Sequence, residues 1–403
     1  MMHAINHGDV AFMIVATILV AIMTPGLAFF YGGLVEKKNS LTMMFQSFIS
    51  VGIVTIMWVF GGFSLVFGKD IWGIIGNPAQ FFAFNGMNFS VNAQYGSHVP
   101  FLMFFMYQLM FAIITAPLMT GAFANRIRIG GWIKVLILWT LLVYFPVAHW
   151  VWGGGFLYKL GFVDYAGGTV IHITAGFAGL VGVWYFGPRA VKNKKGPGNL
   201  TLVAIGTALL LFGWFGFNSG GALASGQTAA IAFTNTGIAG AVAMVVWMII
   251  AYIEHKRFSF LEILTGAVAG LATITPAAGY VTPLSAVAIG AIAAIVCFFC
   301  VAFAKKMKWD DALDVWGVHG MGGLTGTFLI GIFANAAVNG VKAGVHQILI
   351  QLLGIVIVTV YTIVVTFIVF KVCDLTGSIR TTKEEQEIGL DKALLGEFSE
   401  MND

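Results

Sequence analysis

Residues 170–182 read VIHITAGFAGLVG, and residues 317–326 read GVHGMGGLTG. In each stretch a histidine is followed four and seven residues later by glycine: Gly176 and Gly179 after His172, Gly323 and Gly326 after His319. Those spacings put each histidine and its glycines on one helix face. Both stretches lie inside apolar runs of about 20 residues, the length that crosses a hydrocarbon layer about 30 Å thick. Working outward, eleven such runs cover 9–33, 41–67, 100–124, 133–154, 165–187, 199–221, 229–253, 260–277, 283–304, 315–336 and 345–371. The two histidine stretches fall in the fifth and tenth, so a unit of five helices occurs twice. Five is odd, and the second unit therefore enters the membrane from the opposite side, the inverted-repeat plan of many transporters.

Composition excludes the competing classes. Charged residues make up 9% of the 403, against about 25% in ordinary globular proteins. Too few polar side chains remain to coat a soluble surface. A chain that is 14% aromatic is not intrinsically disordered, and a net charge of +4 without a basic stripe does not suit nucleic acid. The runs are continuous rather than alternating, which excludes a membrane β-barrel. Cys297, Cys300 and Cys373 are too few for a disulfide framework. With no histidine or second cysteine pair at metal spacing, they read as packing residues.

Basic residues orient the chain. One set of loops holds Lys37, Lys38, Arg126, Arg128, Lys134, Arg189, Lys192, Lys194, Lys195, Lys256, Arg257, Lys305, Lys306 and Lys308, with Lys371, Arg380, Lys383 and Lys392 at the tail. The opposite loops hold only Lys69, Lys159 and Lys342. The expected fold is an all-α integral membrane protein with its N-terminus outside and its C-terminus cytoplasmic. Its membrane domain is 1–371, made of repeat one (about 9–187), repeat two (about 199–336) and a last helix (about 345–371); 372–403 form a cytoplasmic tail. The first ten residues do not read as a signal peptide, so the first span is expected to be retained. The loop from Gly68 to Val99 is expected to fold over the outer surface.

Asp164 and Asp311 each precede their histidine by eight residues, about 12 Å at helical rise. Approaching from opposite faces, His172 and His319 should meet near the centre of the layer. A lone histidine in a helix is more often a packing residue. A symmetric pair at the midplane is different, because ionisable groups inside the membrane are costly and mark a pathway. Burial favours uncharged imidazoles, which can share one hydrogen bond and still offer an edge to a small molecule. A metal site is the rival reading, but no carboxylate or thiol stands at ligand spacing beside either histidine.

Six further motifs extend the pattern: MTPGLAFFYGG (23–33), DYAGGTVIH (164–172), GWFGFNSGG (213–221), ATITPAAGY (272–280), DVWGVHG (314–320) and GLDKALLGE (389–397). In these the chain resembles the ammonium transporter (Amt) branch of the Amt/Rh family along essentially its whole length. The resemblance implies a homotrimer of eleven-helix subunits in a prokaryotic plasma membrane, each conducting ammonium or ammonia through its own pore. It also implies regulation by a cytoplasmic PII-type signalling protein, and no cofactor. Residue by residue, it implies an outer recruitment site of Trp152, Phe111 and Tyr107, where a cation over aromatic faces gains roughly 0.5–2 kcal/mol per contact. Asp164 stands just outside and favours cations; Phe111 and Phe217 are the ring pair closing the pore mouth; His172 and His319 are the twin pore histidines. Ammonium, too costly to move charged through an apolar bore, would lose its proton near the phenylalanines.

Two positions depart from the family pattern. Gly221 stands where a serine commonly accepts a hydrogen bond from ammonium, and Ser219, about 200° away round a helix, cannot substitute. In the tail, His-Gly-Glu is replaced by Leu395, Gly396 and Glu397. The alternatives are an ammonium sensor with little flux and an Rh-like channel for neutral gas; Trp152 argues against the latter. A membrane enzyme is least expected, for want of a nucleophile, base and oxyanion arrangement.

Overall fold

In hydrocarbon every backbone polar group must be satisfied within the protein, so apolar runs fold as helices. The computed structural model describes residues 5–87, 90–191 and 196–398. Lys192, Lys194 and Lys195 of the basic loops lie outside the described residues, as do the tail's last residues, 399–403, and residues 1–4. Nine helices among the described residues are long and apolar enough to cross a membrane: α1 His7–Leu34, α2 Lys37–Phe67, α3 Phe101–Gly121, α4 Ile129–Lys159, α5 Gly168–Phe186, α6 Leu200–Ala222, α7 Gln227–His255, α9 Pro283–Lys306 and α11 Val345–Leu375. The predicted segment 260–277 is helical over Phe260–Ile274, here α8, only 15 residues long. That is about 22 Å at helical rise. The segment 315–336 forms Trp316–Gly320 continued by Met321–Phe333, here α10, diluted by glycine and His319.

The helices are layered around α5, 89% of whose apolar window is buried, against 33% for α7 and α11. Thus α5 is the centre, and α7 and α11 belong to the rim. α5 crosses α10 where both lack side chains: a Cβ added to Gly176 would lie 2.2 Å from the Cα of Gly320. No residue but glycine permits that approach. Gly323 packs equally tightly, its missing Cβ within 2.4 Å of the Gly168 carbonyl and 2.7 Å of His172 Cβ. The glycines that follow each histidine therefore face protein, as small residues at helix crossings do.

Both histidines sit in π-helical turns, Gly168–Ile173 and Trp316–Gly320. Such turns commonly mark functional positions. Each turn is anchored by an aspartate just before it. The Asp164 carboxylate accepts the backbone N–H groups of Gly167, Gly168, Thr169 and Val170 at 2.7–3.1 Å. Asp311 accepts those of Val315 and Trp316 at 3.0 and 2.8 Å. These are orphan donors of a helix start, met by side-chain oxygens.

The only named strands among the described residues lie in the long loop between α2 and α3. They are two short antiparallel pairs, Asp70–Ile71 with Ile75–Gly76 and Val91–Asn92 with Gly96–Pro100. At the opposite end of the bundle the tail packs back onto the helices. Ile379 is buried against Gly131, Arg128 forms an ion pair with Glu385 at 2.9 Å, and the Asp391 carboxylate accepts the N–H groups of Leu41 and Thr42 at the start of α2.

Candidate functional site: a histidine-centred passage

The neck of the passage is built from six helices, α1, α3, α5, α6, α8 and α10. His172 on α5 and His319 on α10 meet with Nδ1 to Nδ1 at 3.2 Å, their rings nearly parallel at 5.2 Å. Both are buried, at 1% and 5% exposure. Two ring nitrogens at that distance form a hydrogen bond only when one carries the hydrogen and the other is bare. The second nitrogen of His172, Nε2, has no protein partner. Trp214 stacks on His172 at 5.5 Å and is itself fixed by donating from Nε1 to Thr275 Oγ1 at 2.8 Å. Around the pair lies a constriction of only about 10 Å³, lined by Leu27, Ile114, Leu118, Leu210, Phe217 and the two histidines among others. Its wall is apolar except for the imidazoles and the indole.

Two larger cavities lie at the ends of this constriction. Toward the strand-bearing loop, Phe111 and Phe217 close it, their ring centroids 4.3 Å apart and tilted by 33°. Beyond them opens a cavity of about 270 Å³, bordered by Phe111, Tyr107, Trp152, Asp164, Tyr165 and Gly221, with Gln94 and Tyr95 of the loop among its walls. Trp152 stands edge-on to Phe111 at 6.1 Å and donates from Nε1 to the Asp164 carbonyl at 2.8 Å. Tyr107 donates to the Phe217 carbonyl at 2.6 Å, tying α3 to α6 at the ring pair. Toward the tail, a cavity of about 230 Å³ is bordered by His319, Phe30, Tyr31, Thr265, Arg189 and Asp314.

The pore residues expected from sequence border either the constriction (His172, His319 and Phe217) or the cavity beyond the ring pair (Trp152, Phe111, Tyr107, Asp164 and Gly221), though not all in the expected manner. Asp164 is buried, at 4% exposure, and its carboxylate is spent on four backbone donors. It shapes the site through the helix start and through the carbonyl that holds Trp152, and its carboxylate oxygens do not act as a free ligand. Ser219 turns back to donate to the Phe215 carbonyl at 2.6 Å, in keeping with its exclusion. Gly221 lies in the short turn that ends α6, Gly220–Ala222, facing the Tyr165 ring. Sequence reasoning missed Trp214, although it precedes Phe217 by three residues and so shares its helix face. It also missed Tyr165, Gln94 and Tyr95, which come from irregular segments where periodicity gives no signal. Among the described residues no group of three His, Cys, Asp or Glu side chains could hold a metal ion.

Comparison with known proteins places this geometry in a family. Residues 11–400 match the model of the Ammonium Transporter Family. The chain is 43% identical to an ammonium transporter of Aquifex aeolicus over 399 residues, covering 98% of this chain and 93% of that one. Among solved structures, Mep2 of Saccharomyces cerevisiae superposes with a TM-score of 0.88 at 34% identity, covering 94% of this chain and 88% of the other. A sensor Amt protein gives 0.88 at 31% identity, covering 96% and 98%. A match along nearly the whole length, with motifs that converge on one buried passage, means that the chain belongs to the ammonium transporter family.

Proposed function

We propose that this chain is a selective ammonium/ammonia uptake channel or transporter of a prokaryotic plasma membrane. The face bearing the 68–100 loop is outside. Ammonium is recruited in the cavity among Trp152, Phe111, Tyr107, Asp164 and Gly221, where ring faces replace part of its hydration. It loses its proton at the Phe111–Phe217 pair, since an ion cannot enter the apolar constriction without a large desolvation cost. Ammonia then passes His172 and His319 into the tail-side cavity. Arg189 and Asp314 make that cavity polar enough to return the molecule to water.

The observation that carries this reading is the sequence of two cavities, about 270 and 230 Å³, separated by a nearly closed apolar neck whose polar centre is one imidazole pair. A neutral-gas channel would have no use for the Trp152 and Phe111 cage, and the relatives named ammonium transporters favour transport over catalysis. In this reading α8 and α10 also cross, giving eleven spans in two inverted five-helix repeats with the N-terminus outside and the tail in the cytoplasm. The matching placement of Asp164 and Asp311 before π-helical turns supports the repeat. Assembly as a homotrimer and regulation by a PII-type protein at the tail face complete the proposal.

The test is flux into proteoliposomes measured together with current. Wild-type protein should take up methylammonium or draw a current on ammonium addition, and His172→Ala and His319→Ala should lose that transport or its selectivity. Wild-type conduction in the double variant would remove the mechanism. The likeness to a sensor Amt protein favours one second reading, a receptor that binds ammonium with little flux. Binding without flux in the same vesicles would select it.

A further inference from the structure

The cavity above the ring pair has a feature that the recruitment residues do not explain. Tyr165 borders it beside Asp164 and Gly221, and its hydroxyl is buried with no hydrogen-bond partner in the protein. Its ring is a slab held between two glycines. A Cβ on Gly221 would lie 3.0 Å from one ring edge, and a Cβ on Gly279 2.1 Å from the other. The backbone is fixed as well, by the Tyr165 N–H donating to the Pro276 carbonyl at 3.0 Å, and Tyr280 meets the ring edge-on at 5.5 Å. A phenol so tightly seated cannot swing away to another partner in the protein. Leaving a buried hydroxyl unpaired costs about 1–3 kcal/mol, and it persists where a ligand supplies the missing bond. The neighbouring tyrosine Tyr107 spends its hydroxyl on the Phe217 carbonyl; Tyr165 has its hydroxyl to spare.

We infer that the Tyr165 hydroxyl is the side-chain hydrogen-bond acceptor of the recruited cation, and that Gly221 has no side chain so that the phenol can occupy that place. Aromatic faces attract a cation without regard to its hydrogens. An oxygen lone pair adds a directional contact to an N–H donor, stronger because the donor is charged. Tyr165 is therefore a specificity-determining residue, one that acts on binding and takes no part in the later passage. The inference rests on the ammonium reading above.

Two variants test it in proteoliposomes, with methylammonium as the probe. Tyr165→Phe keeps the ring and removes only the oxygen; the half-saturating concentration should rise roughly tenfold, the worth of one charge-assisted hydrogen bond, while the maximal rate stays within about twofold. Gly221→Ala keeps the hydroxyl but presses on the ring, and should raise half-saturation in the same direction. Unchanged half-saturation in both variants overturns the inference. A drop in maximal rate with half-saturation unmoved makes Tyr165 a packing residue and overturns it too. Failure of the ammonium reading looks different, because wild-type vesicles would then show neither uptake nor current.

Discussion

Asp164 shows how much one side chain can hold in place. Its carboxylate gathers four backbone donors while its carbonyl fixes Trp152, so the cavity wall at Trp152 and the helix that carries His172 are set by one residue. An amide in its place can accept on a single oxygen and turns a donor toward other donors. Asp164→Asn should therefore destabilise the protein by roughly 3 kcal/mol, read as a lower melting temperature in detergent, and should slow methylammonium uptake beyond the loss of folded protein. Sequence spacing sufficed to find this residue, because it stands eight positions before a histidine exactly as Asp311 does. What its oxygens touch was not legible, since helix-start hydrogen bonding and cation binding ask for the same residue type. The missing partner of Tyr165 was likewise invisible, because it depends on glycines more than fifty residues away along the chain.

At the level of elements, periodicity and length found the helices but not their interruptions. The π-helical turns at His172 and His319 leave no mark on an apolar pattern, since a one-residue insertion in a run that is apolar all round changes nothing countable. The short α8 has a similar cause: residues 275–280 are apolar but turn, under Pro276 and Gly279, before α9 begins. The loop ends are held by charge. The Asp310 carboxylate accepts three hydrogen bonds from Arg189, one from its backbone N–H at 2.7 Å and two from its guanidinium at 3.1 and 2.7 Å, and the Arg126 guanidinium donates to the carbonyls of Ala122, Gly187 and Asp310. Burial alone would raise the Asp310 carboxyl, but the Arg189 bonds bring it down to about 2 from an ordinary 3.8. A carboxyl depressed on folding stabilises the protein above its unfolded value, and that contribution is lost as pH falls from about 4 toward 2. It is worth roughly 2 kcal/mol. Melting temperatures between pH 5 and pH 2 should accordingly fall less steeply in Asp310→Asn than in the wild type.

Across the whole molecule, charge asymmetry in the loops and an odd-numbered repeat suggested an architecture from sequence alone, because a bilayer leaves few ways to arrange apolar runs. The docking of the tail was not foreseeable, since its polar composition reads as a free soluble segment. Its hold depends on a few buried residues, Ile379, Leu390 and Asp391, that reach the ends of α2 and α4. Asp391→Ala should leave two donors at the start of α2 unmet, cost about 1–2 kcal/mol locally, and expose Lys383 and Lys392 to trypsin at a several-fold faster rate. Equal cleavage of variant and wild type would mean that the contact does not secure the tail. The imidazole couple has one more consequence. Because its two facing nitrogens share a single hydrogen, the couple has a direction, pointing toward one side of the membrane or the other. A proton that entered at one ring and left at the other would reverse that direction, and a second could not follow by the same route until both rings had been reset.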